Sequence, residues 1–452
     1  MPPVRLAVPR RGPALGRRAA LLLPVAALAG CGVFDKWFGT TKIPLPGRRE
    51  EVMPSEHGLE LPKGVRPSVV LPPGVANADW PQPGGNPAHL MGRLETGKIL
   101  NQAWRAPIGE GGGFREKITA QPVVAAGRVF AMDSNAVVSA FDVRSGARAW
   151  RFATKARRDR SSNVGGGIAI DGGTLYAATG RGDVVAVDAA SGKLRWRQQL
   201  GMPARSSPTI AEGRIYVVTI QQQIVALATQ DGKKLWSHQA TTAPTTVLGE
   251  PAPAYADGLV VAGFGSGDLL ALRADSGALA WTDTITAVGG RGSLADISAI
   301  TAMPVIQAER VFAIGQGGLL VAIDLHTGRR LWEREVAGSQ TPWLAGDWMF
   351  IVTLEQRTAA LSVADGEVAW VSSLPQWRDQ KKQKNPIEWF GPVLAGERLV
   401  FASTDKSAFA INAYTGALLG TRKLRAPASL APIVAGGTMY IVTADGSLTA
   451  YR

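Results

Sequence analysis

Residues 214–236 alternate between apolar runs and polar breaks. Ile215-Tyr-Val-Val-Thr-Ile220 is β-branched and aromatic, Gln221-Gln-Gln223 interrupts it, and Ile224-Val-Ala-Leu-Ala-Thr229 resumes it. Gln230-Asp231-Gly232 then turns the chain into Lys-Lys-Leu-Trp236. Short β-rich runs separated by polar turns predict strand, turn, strand, turn, strand. The unit recurs: a small or acidic residue, Gly, three residues and Trp stand at Gly146/Trp150, Gly192/Trp196, Gly232/Trp236, Gly277/Trp281, Gly328/Trp332 and Gly366/Trp370. A worn copy at Gly416 ends in Gly420. Successive glycines lie 38 to 51 residues apart, a spacing that fits four-stranded propeller blades and not helical solenoids.

The glycine suits a tight hairpin turn that needs one residue at positive φ. The Trp is large enough to fill the wedge between neighbouring blades, burying roughly 200 Å² of mostly apolar ring. Trp150, Trp196, Trp236, Trp281, Trp332 and Trp370 therefore read as structural. A second signature precedes the first, a hairpin with apolar residues on both sides of a small, polar or Gly turn, as at Ala125-Ala126-Gly127 and Ala435-Gly436-Gly437. It occurs eight times. The last unit reaches Arg452 without a fourth strand, while Gln102-Ala103-Trp104-Arg105 stands 46 residues before Trp150, in phase with the repeat. These patterns predict an all-β, eight-bladed propeller of four-stranded blades over residues 101–452, closed by an N-terminal strand around Trp104 that completes the last blade and leaves only short, protected edges.

Charge and composition narrow the function. The 452-residue chain has 49 Lys and Arg against 36 Asp and Glu, a formal charge of +13. Arg5, Arg10, Arg11, Arg17 and Arg18 precede the single cysteine, Cys31, and no acid does. Without them the excess is well short of a nucleic-acid footprint. The basic runs at 155–160 and 378–384 lie between repeats and lack the interleaved aromatics of a single-strand platform. The five arginines lead into an apolar stretch, 19–28, of the length of a secretory h-region, and Leu28-Ala29-Gly30-Cys31 resembles the bacterial lipobox. Residues 1–30 are read as a lipoprotein signal peptide and Cys31 as the acylated residue, whose chains contribute about 0.8 kcal/mol per buried CH₂. Gly32, in place of an aspartate, favours the outer membrane's inner leaflet.

Residues 31–100 change character, with ten prolines from Pro44 to Pro87 among charged and polar residues. Such composition predicts an extended tether that cannot bury enough surface to order itself. Within it, Trp80 is expected to dock on the propeller.

Repeat units such as Gly182-Asp-Val-Val-Ala-Val-Asp-Ala-Ala-Ser-Gly-Lys-Leu-Arg-Trp196 and Gly318-Leu-Leu-Val-Ala-Ile-Asp-Leu-His-Thr-Gly-Arg-Arg-Leu-Trp332 are similar to those named after pyrroloquinoline quinone (PQQ) enzymes. With the lipobox they make the chain resemble the BamB family, lipoproteins of the outer-membrane β-barrel assembly machinery, the Bam complex. The resemblance covers the signal and residues 104–452. It implies a non-enzymatic periplasmic scaffold, lipid-anchored at the outer membrane, whose interblade loops dock on the POTRA domains of BamA. In the loops at 241–250 and 282–301, Val247, Gly249 and Glu250 match the family pattern and Asp296 matches its acidic position. Leu248 stands where the family often has arginine, and Arg291 offers a nearby charge. The implied partner-binding set is thus Val247, Leu248, Gly249, Glu250, Arg291 and Asp296.

Two rival functions share this fold. Quinoprotein dehydrogenases typically set a disulfide of adjacent cysteines against the quinone and hold calcium with oxygen ligands; one cysteine cannot supply that disulfide. Asp142, Asp188 and Asp324 recur at one repeat position, which marks a turn device and not a unique ligand set. His57, His89, His238 and His326 are scattered, no nucleophile is paired with a base, and Gly109-Glu110-Gly111-Gly112-Gly113-Phe114 lacks a following helix and reads as a mobile loop. Neither a cofactor, a metal nor a small-molecule substrate is expected. The other rival is a glycan- or peptidoglycan-binding propeller using Trp343, Trp348, Trp377 and Trp389. The insertion through Trp389 reads more simply as loop packing.

Overall fold

The computed structural model describes residues 58–98, 100–113, 116–155, 162–242, 250–286 and 298–452. All regular structure in them is β. Blade 1 comprises β2 (Val123–Ala125), β3 (Arg128–Met132), β4 (Val137–Asp142) and β5 (Arg148–Ala153), and blades 2 to 7 repeat this four-stranded antiparallel meander. Blade 8 is ordered β1-β34-β33-β32, so β1 (Gln102–Pro107) pairs with β34 (Ser447–Tyr451), the last strand of the chain, beside β33 (Thr438–Thr443) and β32 (Ile433–Ala435). The predicted eight-bladed ring and its N-terminal closing strand are both present.

The first strands of most neighbouring blades touch one another, and together the first strands form the inner wall. Each meander sends the turns after its first and third strands to one face, called here the hairpin face; its middle turn and the interblade connection emerge on the opposite, loop face. One small hairpin, β26 (Trp377–Asp379) with β27 (Lys384–Pro386), is inserted between blades 6 and 7. It packs down: Trp389 is buried and donates to the Pro375 carbonyl at 2.8 Å, while Arg378 pairs with Asp405 at 3.1 Å.

The repeat motif grips from blade to blade. In every Trp-bearing blade an alanine stands across the ladder from the Trp, as Ala140 from Trp150, Ala226 from Trp236 and Ala450 from Trp104, so a small residue makes room for the indole. The ring packs on the turn glycine of the following blade. A Cβ on Gly277 would lie 2.6 Å from Trp236, and φ there is +72°, so both backbone and neighbour require glycine. The same approach joins Trp104 to Gly146, Trp150 to Gly192, Trp196 to Gly232, Trp281 to Gly328, Trp332 to Gly366 and Trp370 to Gly416. Each indole N–H also donates to the carbonyl three residues before that glycine, at 2.6 to 3.1 Å. A buried indole thereby keeps its one polar group satisfied.

The expectation of an extended tether through residue 100 needs correction for 58–98. Leu59, Val69, Trp80 and Leu94 are buried in it. The segment has too few apolar residues to bury against itself, but the propeller supplies the surface and those few are spaced to reach it. The glycine-rich stretch at 109–113 is likewise pinned. The Gly112 N–H donates to the Ala444 carbonyl at 2.7 Å, the Glu110 N–H to Asp133 at 3.0 Å, and the Ser134 hydroxyl to the Gly111 carbonyl at 2.8 Å.

Candidate functional site

A propeller offers ligands its axial channel and the loops around it. The channel is lined by the inner strands, which carry a free backbone edge facing the axis. Residues 77–94, called here the arm, run along that edge and engage the blades in ring order. Asn77 bonds blade 8 through Val434 and Gly436, both at 2.6 Å. Trp80 exchanges two backbone bonds with Val124 of blade 1, at 2.7 and 2.8 Å. The carbonyl of Pro81 accepts from Ile170 of blade 2 at 2.7 Å, and Gln82 Oε1 accepts from Ile210 of blade 3 at 2.8 Å. Pro87 and Ala88 then accept from Tyr255 of blade 4 and Ile306 of blade 5. Gly92 accepts from the Trp343 indole of blade 6 at 2.7 Å, and Leu94 pairs with Leu394 and Gly396 of blade 7.

All eight blades are thus tied to one short segment, which makes a full circuit of the inner wall. Side chains of the arm pack within it. Trp80 is 1% exposed, stacks on Trp343 with centroids 6.3 Å apart, and donates to Gln121. Gly84 and Gly85 lie against His89 and Met91 so closely that a Cβ on Gly85 would fall 2.3 Å from the Met91 sulfur. His89 is buried with its Nδ1 2.7 Å from the Pro304 carbonyl and, among the described residues, no partner on Nε2. Burial lowers its pKa to about 4, so it is neutral near pH 7 and donates from Nδ1.

A quinone with its calcium does not fit these residues. The described channel wall is taken by the arm, and among the described residues no three His, Cys, Asp or Glu side chains come together as ligands. Asp142, Asp188 and Asp324 each accept from the backbone and hydroxyl of Ser145, Ser191 or Thr327 in their own turns. Those bonds, joined at Asp188 by Arg195, hold all three below the ordinary carboxylate range. The aromatics considered for glycan binding do not form a platform either: Trp348 and Trp389 are buried, and Trp343 is committed to Gly92 and Trp80.

Of the loop residues singled out by resemblance, the structure describes Glu250. Val247, Leu248, Gly249, Arg291 and Asp296 lie outside the described residues, as does Cys31. Glu250 is 8% exposed on the loop face. Its Oε1 accepts from Gln222 at 2.8 Å, and Gln222 in turn accepts from the Gly265 N–H at 2.7 Å, linking the middle turns of blades 3 and 4. Its Oε2 has no partner among the described residues. Burial raises its pKa to about 7, against the opposing pull of Gln222 and Arg205. Glu250 therefore anchors the loop end from inside and presents no free charge at the surface. Sequence reasoning missed the arm's route and this buried role, because neither leaves a periodic signal; the position of Trp80 in a polar segment was the one available sign.

Comparison with known proteins places this geometry. The family model described as outer membrane protein assembly factor BamB matches residues 134–372 and 375–452. Outer membrane protein assembly factor BamB of Moranella endobia is 25% identical over 355 residues, covering 77% of this chain and 89% of that protein. The protein of that name from Burkholderia pseudomallei is 26% identical over 361 residues, covering 78% and 88%. Among solved structures, BamB from Moraxella catarrhalis superimposes with a TM-score of 0.67 at 20% identity, over 78% of this chain and all of that one. Quinohemoprotein alcohol dehydrogenase from Comamonas testosteroni gives 0.65 at 15% identity, over 84% and 81%. At such identities the structural likenesses speak for the fold alone.

Proposed function

The chain belongs to the BamB family of outer membrane protein assembly factors, and from that membership we propose that it is a non-enzymatic scaffold of the Bam complex, held at the periplasmic face of the outer membrane. In this reading residues 1–30 are removed as a signal, Cys31 carries the lipid anchor, and the interblade loops on the loop face dock on the POTRA domains of BamA. The observation that supports the non-enzymatic part is the arm: its circuit bonds all eight blades along the channel wall, where a cofactor would have to seat. The single cysteine supports the anchor and is incompatible with a redox disulfide.

The contact is assigned to Val247, Leu248, Gly249, Glu250, Arg291 and Asp296. Within that set Glu250 acts as the buried footing of its loop, and the contact itself is assigned to the other five. Asp296→Arg combined with Val247→Asp is expected to lower BamA co-purification from solubilised envelope while leaving the thermal unfolding midpoint unchanged. Unaltered co-purification would remove the site assignment. Reconstitution with PQQ and Ca²⁺ is expected to give no alcohol- or sugar-dependent dye reduction; turnover above background would overturn the non-enzymatic reading.

A further inference from the structure

Seven of the eight contacts between neighbouring blades hold an indole, and the contact between blades 7 and 8 does not. In blade 7, Gly420 stands at the Trp position, across the ladder from Ala410. The aromatic partner is missing too. Blades 1, 2, 3, 5, 6 and 8 set Phe or Tyr on their second strand against their own Trp, as Phe130 with Trp150 at 5.8 Å and Tyr440 with Trp104 at 5.9 Å; blade 7 has Val400 there, as blade 4, which keeps its Trp, has Val261. No described residue demands the glycine: φ at Gly420 is not in the left-handed region, and an added Cβ would meet no atom of the described residues within 4 Å.

An open cavity of about 310 Å³ occupies the vacated wedge. Its floor is apolar, with Val400, Phe409, Met439 and Ile441 beside Gly420. Among the described residues, its ionisable lining other than Tyr451 is all cations, Lys98, Arg398 and Arg422, with no acid. Arg398 donates to the carbonyls of Gly97 and Lys98. Arg422 donates to the Leu100 carbonyl at 2.6 Å and lies 5.3 Å over the Tyr451 ring. Neutral carbonyls fix these guanidinium groups but leave their charge uncompensated. Beside the wedge runs the outermost strand of blade 7, β31 (Leu418–Lys423), unpaired on its outer side and exposed along its length.

We propose that this wedge is a docking site for an extended, acidic segment of a partner protein, which pairs with the outer edge of blade 7 and places an aromatic side chain where the eighth indole is missing. An unpaired strand supplies main-chain hydrogen bonds and a side-chain pocket beside it supplies selectivity, the logic of strand addition. The seven filled wedges define the shape that fits, and the three cations define the charge. The site stands on its own geometry and is independent of the loop contact assigned above.

The probe is a labelled peptide, Asp-Val-Trp-Val-Asp, titrated onto the full chain by fluorescence anisotropy. Saturable binding is expected, weakened about tenfold or more, or about 1.4 kcal/mol, by Ala in place of the peptide's Trp and equally by Gly420→Trp, which fills the wedge from within. Arg422→Glu is expected to weaken it as well, and Gly420→Trp to keep or raise the thermal midpoint. Should Gly420→Trp misfold, Gly420→Val narrows the same space and is expected to act in the same direction. Equal binding to wild type and the filled variants, or no saturation of wild type at about 1 mM peptide, which corresponds to about 4 kcal/mol, overturns the proposal. A dimer in sedimentation velocity that Gly420→Trp dissolves would make the occupant a second copy of the chain and likewise overturn it.

Discussion

Around the ring, each blade holds the next with a side chain: an indole laid on a glycine and bonded to one carbonyl. Within the ring, the arm holds all eight blades by hydrogen bonds, mostly through its backbone, with Trp80 as its largest buried side chain. The two regions solve different problems. Neighbouring blades diverge outward, so the gap between them is a wedge that a flat apolar group fills. The inner strands converge, and what they leave is a circle of unpaired amides and carbonyls whose burial without partners would cost about 1 to 3 kcal/mol each. A polar, proline- and glycine-rich segment can follow that circle where a regular strand or helix could not. Low apolar content is therefore compatible with order when the partner surface is itself short of hydrogen bonds.

Mutating the corresponding element on each side tests whether the two modes are equally integral. Trp236→Ala removes a buried indole from a wedge and is expected to cost about 3 to 5 kcal/mol in denaturant unfolding. Trp80→Ala should cost about as much if the arm folds with the ring, because Trp80 is the more deeply buried of the two; a loss under about 1 kcal/mol would mean that the arm is a loosely seated addition. Next in size, Gly277→Ala forces a side chain into positive φ and against Trp236, and should cost about 1 to 3 kcal/mol; Gly420→Ala should be neutral within about 0.5 kcal/mol.

The smallest effects separate the regions by pH. His89 in the arm has its pKa lowered from 6.5 to about 4, so the unfolded chain takes up the proton first. Its contribution is complete above pH 6.5 and is lost as pH falls through 6.5 towards 4. Glu250 on the loop face has the opposite sign. With its pKa raised from 4.5 to about 7, the folded chain holds the proton longer, so stability falls as pH rises from about 4.5 to 7 and levels above that. His89→Gln should flatten the acid side of the stability profile and Glu250→Gln the neutral side, each read from denaturant midpoints across pH. Identical profiles for wild type and both variants would contradict these assignments.

The ring was legible in the chain because its repeat is local. Strand-length apolar runs, turn residues and the Gly-x-x-x-Trp spacing act within one blade, so counting them yields eight blades and identifies Trp104 as part of the closing strand. Asp142, Asp188 and Asp324 were equally legible as turn residues, since their bonds reach three residues along the chain. The arm was not, because its order depends on contacts with inner strands up to 357 residues away, and no composition rule anticipates a circle of free edges. Glu250 was placed by pattern, but its burial beneath Gln222 is set by where blades 3 and 4 converge. Gly420 looked like simple decay of the motif. Only the tertiary structure turns that missing Trp into a cavity, because a wedge exists only once blades 7 and 8 stand side by side.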